Sequence, residues 1–174
     1  MSLKPNFETL VDVHSAEIFA YLWRMFRETT DAEDCLQETF LRAYRAYPQL
    51  GSEANHRAWL YKIATNTART HLKRQKRVAE RTADLDPELL HDGPSLAEQI
   101  DRRQILAAVA HAVDALPYQQ RTALIMRKYQ ELNYATIAAA LNCSEAAARA
   151  NVYQALKKLR AQFAETSEEE EGIP

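Results

Sequence analysis

Glycine and proline are scarce in this chain: three Gly and six Pro among 174 residues, where average usage would give about 21 of the two together. Dinucleotide folds and many-turned β architectures, which depend on such residues, are disfavoured. The β-branched residues that favour strands are few as well. Val and Ile together number 13, against 29 Ala and 19 Leu, so strong helix formers dominate. Long apolar runs are missing: the least polar stretches, Ile105–Leu116 and Tyr134–Ser144, fall short of the roughly 20 residues a membrane helix needs. Met1-Ser2-Leu3-Lys4-Pro5 has no apolar segment resembling a secretion signal. The two cysteines, Cys35 and Cys143, lack a close Cys partner and read as small core residues suited to a reducing cytoplasm. No nucleophile–base–acid set, metal cluster or phosphate loop is apparent, so neither an enzyme nor a cofactor is expected. The expectation is an all-α protein of two small helical domains.

The formal net charge is −2, but its distribution is uneven. Residues 57–81 hold eight Lys/Arg against one acid, and residues 121–160 hold seven against two. Residues 82–104 carry six acids and two arginines, and five acids follow from Glu165 onward. Two basic blocks separated by acidic connectors suggest two anion-binding surfaces. The breakers Pro87, Gly93, Pro94 and Pro117 support the same partition. Expected are a first domain over 5–78, a flexible acidic linker over 79–96, a second domain over 97–164 and a disordered acidic tail over 165–174.

In the first domain, Phe19, Leu22, Trp23 and Phe26 form one apolar helical stripe. Thr30-Asp31-Ala32-Glu33 reads as a capping box with Thr30 as N-cap. It opens a helix that turns Leu36, Phe40, Ala43, Tyr44 and Tyr47 inward and Asp34, Gln37, Glu38, Leu41 and Arg42 outward. A third helix, from about Arg57 to Arg77, buries Leu60, Ile63, Ala64, Thr67 and His71. A different face gathers Trp59, Lys62, Asn66, Arg69, Lys73 and Arg77. Cations for phosphates and an aromatic ring for unpaired bases suit nucleic acid. Equally, Trp59 and Tyr61 are core candidates, with the cations serving only solubility. His71 reads as a packed or half-exposed side chain rather than a metal ligand or base.

In the second domain, Thr122, Ile125, Met126 and Tyr129 form one stripe, then Tyr134, Ile137, Ala138 and Leu141 another. The turn Asn142-Cys143-Ser144 precedes a helix with Ala148, Val152, Ala155, Leu159 and Phe163 inward. This is a helix-turn-helix pattern. Asn142 tolerates the left-handed conformation and Ser144 can cap the helix after it. The second helix would enter a major groove, with Ser144, Arg149, Asn151, Gln154, Lys157 and Lys158 as candidate contacts; Arg suits guanine, Asn or Gln adenine, and Lys phosphate.

Residues 31–44, beginning Asp31-Ala32-Glu33-Asp34 and including Gln37-Glu38, resemble the polymerase-binding signature of bacterial extracytoplasmic-function sigma factors, a group of the sigma-70 superfamily. Arg57-Ala58-Trp59-Leu60-Tyr61-Lys62 through Asn66, with His71-Leu72-Lys73-Arg74, resembles the segment that melts and reads the −10 promoter element. Leu116-Pro117 through Arg121, then Leu132-Asn133-Tyr134 through Lys158-Leu159-Arg160, resembles the domain that reads the −35 element. The resemblance implies that Asp34, Gln37, Glu38, Leu41 and Arg42 contact core RNA polymerase, at the coiled coil of its largest subunit. The second domain would meet the flap of the second-largest subunit. Trp59, Tyr61, Lys62, Asn66, Arg69, Lys73, Arg74 and Arg77 would hold −10 DNA; Ser144, Arg149, Asn151, Gln154, Lys157 and Lys158 would face −35 DNA. An anti-sigma factor is an implied partner, stable membrane insertion is not, and the cytoplasm is the implied location.

The recognition helix departs from the family's usual pattern. Asn151, Gln154 and Leu156 stand where Arg is frequent, and Glu145 adds a negative charge at the helix start, so a modest duplex affinity is expected. The alternatives are a sigma-like adaptor acting by protein contact and a stand-alone helix-turn-helix regulator.

Overall fold

A computed structural model of the chain describes residues 4–82 and 97–170, with the backbone path alone for 97–101 and 165–170. The expected linker falls largely on residues 83–96, outside the described residues. All regular structure among the described residues is helical, as the residue usage predicts.

Helix α1 (Phe7–Phe26) starts on Asn6, whose side chain accepts from Thr9 N, and stops at Arg27 in the left-handed region (φ 57°). Glu28 then returns to an extended conformation and caps α2 (Thr29–Ala46) by accepting from Thr30 N (3.0 Å) and Asp31 N (2.7 Å). The expected Thr30 capping box is therefore displaced by two residues. Those backbone N–H bonds also hold the Glu28 carboxyl below its usual range. A 3₁₀ turn at Tyr47–Gln49 leads to α3 (His56–Thr82), where Asn55 Oδ1 accepts from Ala58 N (3.0 Å).

The buried sides of α1 and α2 are rotated from the expected stripes. Helix α1 buries Leu10, Ile18, Tyr21, Leu22 and Met25, while Trp23 stays 43% exposed. On α2 the fully buried ridge is Ala32, Cys35, Thr39 and Ala43, a row of small side chains that brings the backbones close. Tyr44, expected inward, is exposed, its ring set edge-on against Phe7. Burial pushes the Cys35 thiol up to about 12, which leaves it protonated and chemically quiet.

Helices α4 (Ala97–Asp114), α5 (Tyr118–Lys128), α6 (Tyr134–Leu141) and α7 (Glu145–Glu170) follow. Where a single apolar stripe was expected on α5, six consecutive residues, Arg121–Met126, are buried. A helix buried all round is a central helix: α5 packs on α7 and α6 and also touches α1. The end of α7 is a second difference, because the helix continues through the acidic residues to Glu170 where a disordered tail was expected.

The two halves do not stand apart. Helix α6 lies on α3, and one continuous buried cluster runs from Ile18, Tyr21 and Leu60 through Leu124, Ile137 and Val152. Polar ties reinforce it. Tyr118 Oη donates to Thr65 O (2.6 Å), Arg27 reaches Ala110 O (3.1 Å) and Asp114 (3.3 Å), and buried Arg121 donates to Met25 O and to Asp114 Oδ1 (2.8 Å).

Candidate polymerase and nucleic-acid interfaces

On α2, Asp34, Gln37, Leu41 and Arg42 are exposed and Glu38 is half-buried, as the spacing predicts. Arg42 Nε donates to Glu38 at 2.6 Å, and Leu41 stands 46% exposed among these polar groups. An isolated apolar side chain on a charged face suits protein recognition, where buried apolar contact supplies affinity and the surrounding polar rim supplies register. Between α2 and the second half of α3 runs a groove of about 970 Å³. Asp31 ties its walls together by accepting from Gln75 Nε2 (2.5 Å) and pairing with His71 Nε2 (3.1 Å). His71 is half-buried against the Phe26 ring, a structural position as anticipated.

Helix α3 carries the second surface. Lys62, Asn66, Arg69, Lys73 and Arg77 are all exposed and repeat every three or four residues, so they form a cationic row along one side. Trp59 closes one end of this row, half-buried and tilted against Tyr47 at 6.3 Å. Two expected members lie elsewhere. Arg74 is exposed but lines the groove toward α2. Tyr61 is buried, its hydroxyl donating to Glu17 Oε2 (3.1 Å) and lying 3.2 Å from Gln130 Oε1. Burial and the Glu17 charge push its phenol far above the ordinary value, so it stays neutral. The expected contact between Tyr61 and DNA is thus unsupported in this arrangement, because Glu17 and Tyr21 of α1 and Gln130 enclose its ring and hydroxyl.

Glu17 anchors the start of α3. It accepts from Arg57 at 2.6 Å and pairs with His14 Nδ1 at 2.6 Å. Burial raises its carboxyl, but the bonds from Arg57, His14 and Tyr61 prevail and leave it below the usual range. His14 is a local partner, but Arg57 and Tyr61 lie 40 and 44 residues from Glu17 in sequence, so no local pattern pointed to them.

The third surface is the helix-turn-helix. Asn142 occupies the left-handed region (φ 53°, ψ 50°), and Ser144 Oγ accepts from Ala147 N at 3.1 Å, both as read from the turn. Asn133 Oδ1 caps α6 by accepting from Thr136 N at 2.8 Å. Arg149, Gln154, Lys157 and Lys158 are exposed; Asn151 is half-buried. At about 100° per residue, the inward residues Ala148, Val152, Ala155 and Leu159 stand opposite Ala150 and Lys157, with Tyr153 and Gln154 flanking them on either side. Tyr153, 60% exposed, therefore belongs to the outward face, and the sequence reading missed it by collecting only charged, amide and hydroxyl side chains. Arg149 lies to one side, its guanidinium 4.4 Å from the Tyr134 ring centre, while Arg127 stacks on the same ring at 4.9 Å. Stacking holds Arg149 in a defined direction before any ligand arrives.

Comparison with known proteins identifies the family of both halves of the chain. The family model described as Sigma-70 region 2 matches residues 10–78, and Sigma-70, region 4 matches residues 106–159. The chain is 29% identical over 160 residues to the RNA polymerase sigma-H factor of Pseudomonas aeruginosa, covering 87% of this chain and 83% of that protein. It is 30% identical over 134 residues to the ECF RNA polymerase sigma-E factor of Salmonella typhimurium, covering 72% and 70%. Its fold resembles the sigma factor RpoE solved in complex with the anti-sigma factor NepR from Bartonella quintana, with TM-score 0.68, 20% identity, and 91% and 96% of the two chains covered. It also resembles CnrH solved with the cytosolic domain of CnrY, at TM-score 0.67, 22% identity, and 91% and 87% coverage. The chain is a sigma factor, a transcription initiation factor that directs RNA polymerase to promoters. Within that class it belongs to the extracytoplasmic-function sigma factors.

Proposed function

We propose that the chain divides promoter recognition among its three surfaces. Residues 5–78 form the unit that binds core polymerase and the opened −10 strand, and residues 97–164 form the unit that docks on −35 duplex. The observation that carries this reading is the cationic row Lys62, Asn66, Arg69, Lys73 and Arg77, exposed along α3 and ending at Trp59. Its cations neutralise successive phosphates, and the indole offers a flat apolar face to an unpaired base. Arg149, Tyr153, Gln154 and Lys157 face the −35 duplex, with Lys158 and Ser144 nearer its backbone and Asn151 at the margin.

On α2, Asp34, Gln37, Glu38, Leu41 and Arg42 bind the largest polymerase subunit, with Leu41 as the apolar anchor. The protein works without a catalytic group of its own, in the cytoplasm, and the polymerase supplies the chemistry. An anti-sigma factor is its negative regulator; support comes from the similar folds of RpoE, solved with the anti-sigma factor NepR, and CnrH, solved with the cytosolic domain of CnrY.

Retention of the chain on immobilised core polymerase tests the α2 assignment. Leu41→Glu is expected to weaken retention at least 10-fold, because it places a charge at the apolar centre of the contact, while circular dichroism stays unchanged. Undiminished retention would remove this face from the polymerase interface.

A further inference from the structure

We propose that Lys4 is a positioning residue for the DNA-engaging end of α3: acting through Tyr47, it fixes the direction in which Trp59 meets an unpaired base. The inference rests on the reading of α3 as the −10 face. Chain ends stay loose unless something ties them down, and here residues 4–7 are tied to the far end of α2. Lys4 Nζ donates to Tyr47 O (2.5 Å) and Leu50 O (2.7 Å) and lies 4.1 Å from the centre of the Tyr47 ring. An ammonium has three N–H donors and no acceptor, so two carbonyls and a ring face are a complete set of partners for it. Both carbonyls belong to the 3₁₀ turn that prolongs α2, the end of a helical run at which a cation is favoured. Tyr47 returns the contact, its hydroxyl donating to Pro5 O, and Phe7 sets its ring edge-on against Tyr47 at 5.4 Å.

Tyr47 carries this clamp to the DNA face. Its ring is tilted by 47° against Trp59, with centres 6.3 Å apart. Trp59 is half-buried, so packing holds part of the indole while part stays open to a ligand. Stacking needs the ring in one orientation, and a ring that must be ordered on binding loses affinity to that ordering. Lys4 stands outside both basic blocks of the sequence, so charge patterning does not single it out. Its charge does supply a rival role, direct neutralisation of a phosphate. The two roles differ in one respect: a phosphate contact acts independently of Trp59, whereas positioning acts only through it.

The test is a double-mutant cycle between Lys4 and Trp59 in the full chain. It is read by the anisotropy of a fluorescein-labelled 20-nucleotide single strand of mixed sequence. Trp59→Ala should weaken strand binding about 5-fold or more, the loss of one base–aromatic stack. Lys4→Met should weaken it about 3-fold or more, a part of that stack, and should cost nothing further once Trp59 is replaced. Losses that simply add would make Lys4 an independent phosphate contact and overturn the proposal. A second arm needs no DNA. With Trp23→Phe, Trp59 is the one tryptophan left in the chain. Acrylamide should quench it more readily after Lys4→Met, and as in the parent after Lys4→Arg, which keeps the charge and the donors. Unchanged quenching after Lys4→Met would overturn the proposal as well. So would a matching loss of retention on immobilised core polymerase, because the clamp would then serve the folding of the first domain rather than Trp59. If Trp59→Ala leaves strand binding unchanged, the fault lies in the DNA-facing reading of α3, and quenching alone decides the clamp.

Discussion

Arg149 and Tyr153 show what a single position on α7 can do. Arg149 is oriented by the Tyr134 ring and lies within 4.0 Å of Glu145, so its direction is set before any ligand arrives. Tyr153 sits on the outward face with no charge to satisfy, a side chain for thymine methyls or sugar edges. Against a promoter duplex that the protein uses, Arg149→Ala is expected to weaken binding by about 1–3 kcal/mol if it reads a base. Tyr153→Ala should cost a similar amount, and Asn151→Ala much less. Fluorescence anisotropy checks this ordering, and equal, negligible losses for all three would remove α7 as the reading element. Arg149 was legible in the sequence because charge and helical position sufficed to find it. Tyr153 was not, because an aromatic on a recognition helix is indistinguishable from a core residue until the buried face is known. Tyr61 is the converse case: it was included with the DNA face, and only its long-range partners on α1 and at Gln130 show that it is covered.

At the level of elements, local chemistry decided what the sequence could reveal. The turn between α6 and α7 was readable because Asn142 and Ser144 act on their own backbone, within three residues. Asn142→Val is expected to cost about 1–2 kcal/mol, since a β-branched residue is forced into the left-handed region. Asn142→Gly should be nearly neutral. Thermal unfolding followed by circular dichroism measures both, and equal melting temperatures for the Val and wild-type chains would contradict the turn geometry. The start of α2 was misread for a related reason. A capping box and a Glu N-cap compete for the same two or three N–H groups, and the left-handed Arg27 just before it settles the contest in favour of Glu28. Helix α5 could not be read as fully buried, because its apolar stripe accounts for one side only. Its other side is covered by a half of the chain that begins about 100 residues earlier.

Across the whole molecule, the two basic blocks, residues 57–81 and 121–160, fall largely within the two stretches that the family models match, 10–78 and 106–159. What composition could not supply is how the halves meet. The contact depends on Tyr118, Arg121 and Gln130 finding carbonyls and a phenol from 53 to 96 residues away, a matter of surface fit rather than periodicity.

Mapping RNA start sites produced by core polymerase on genomic DNA fragments, with and without the purified chain, tests the central claim most directly. Discrete starts that appear only with the chain, and that share upstream elements near −10 and −35, are the expected result. Starts no different from those of core polymerase alone, under low salt and with no inhibitor present, would contradict it.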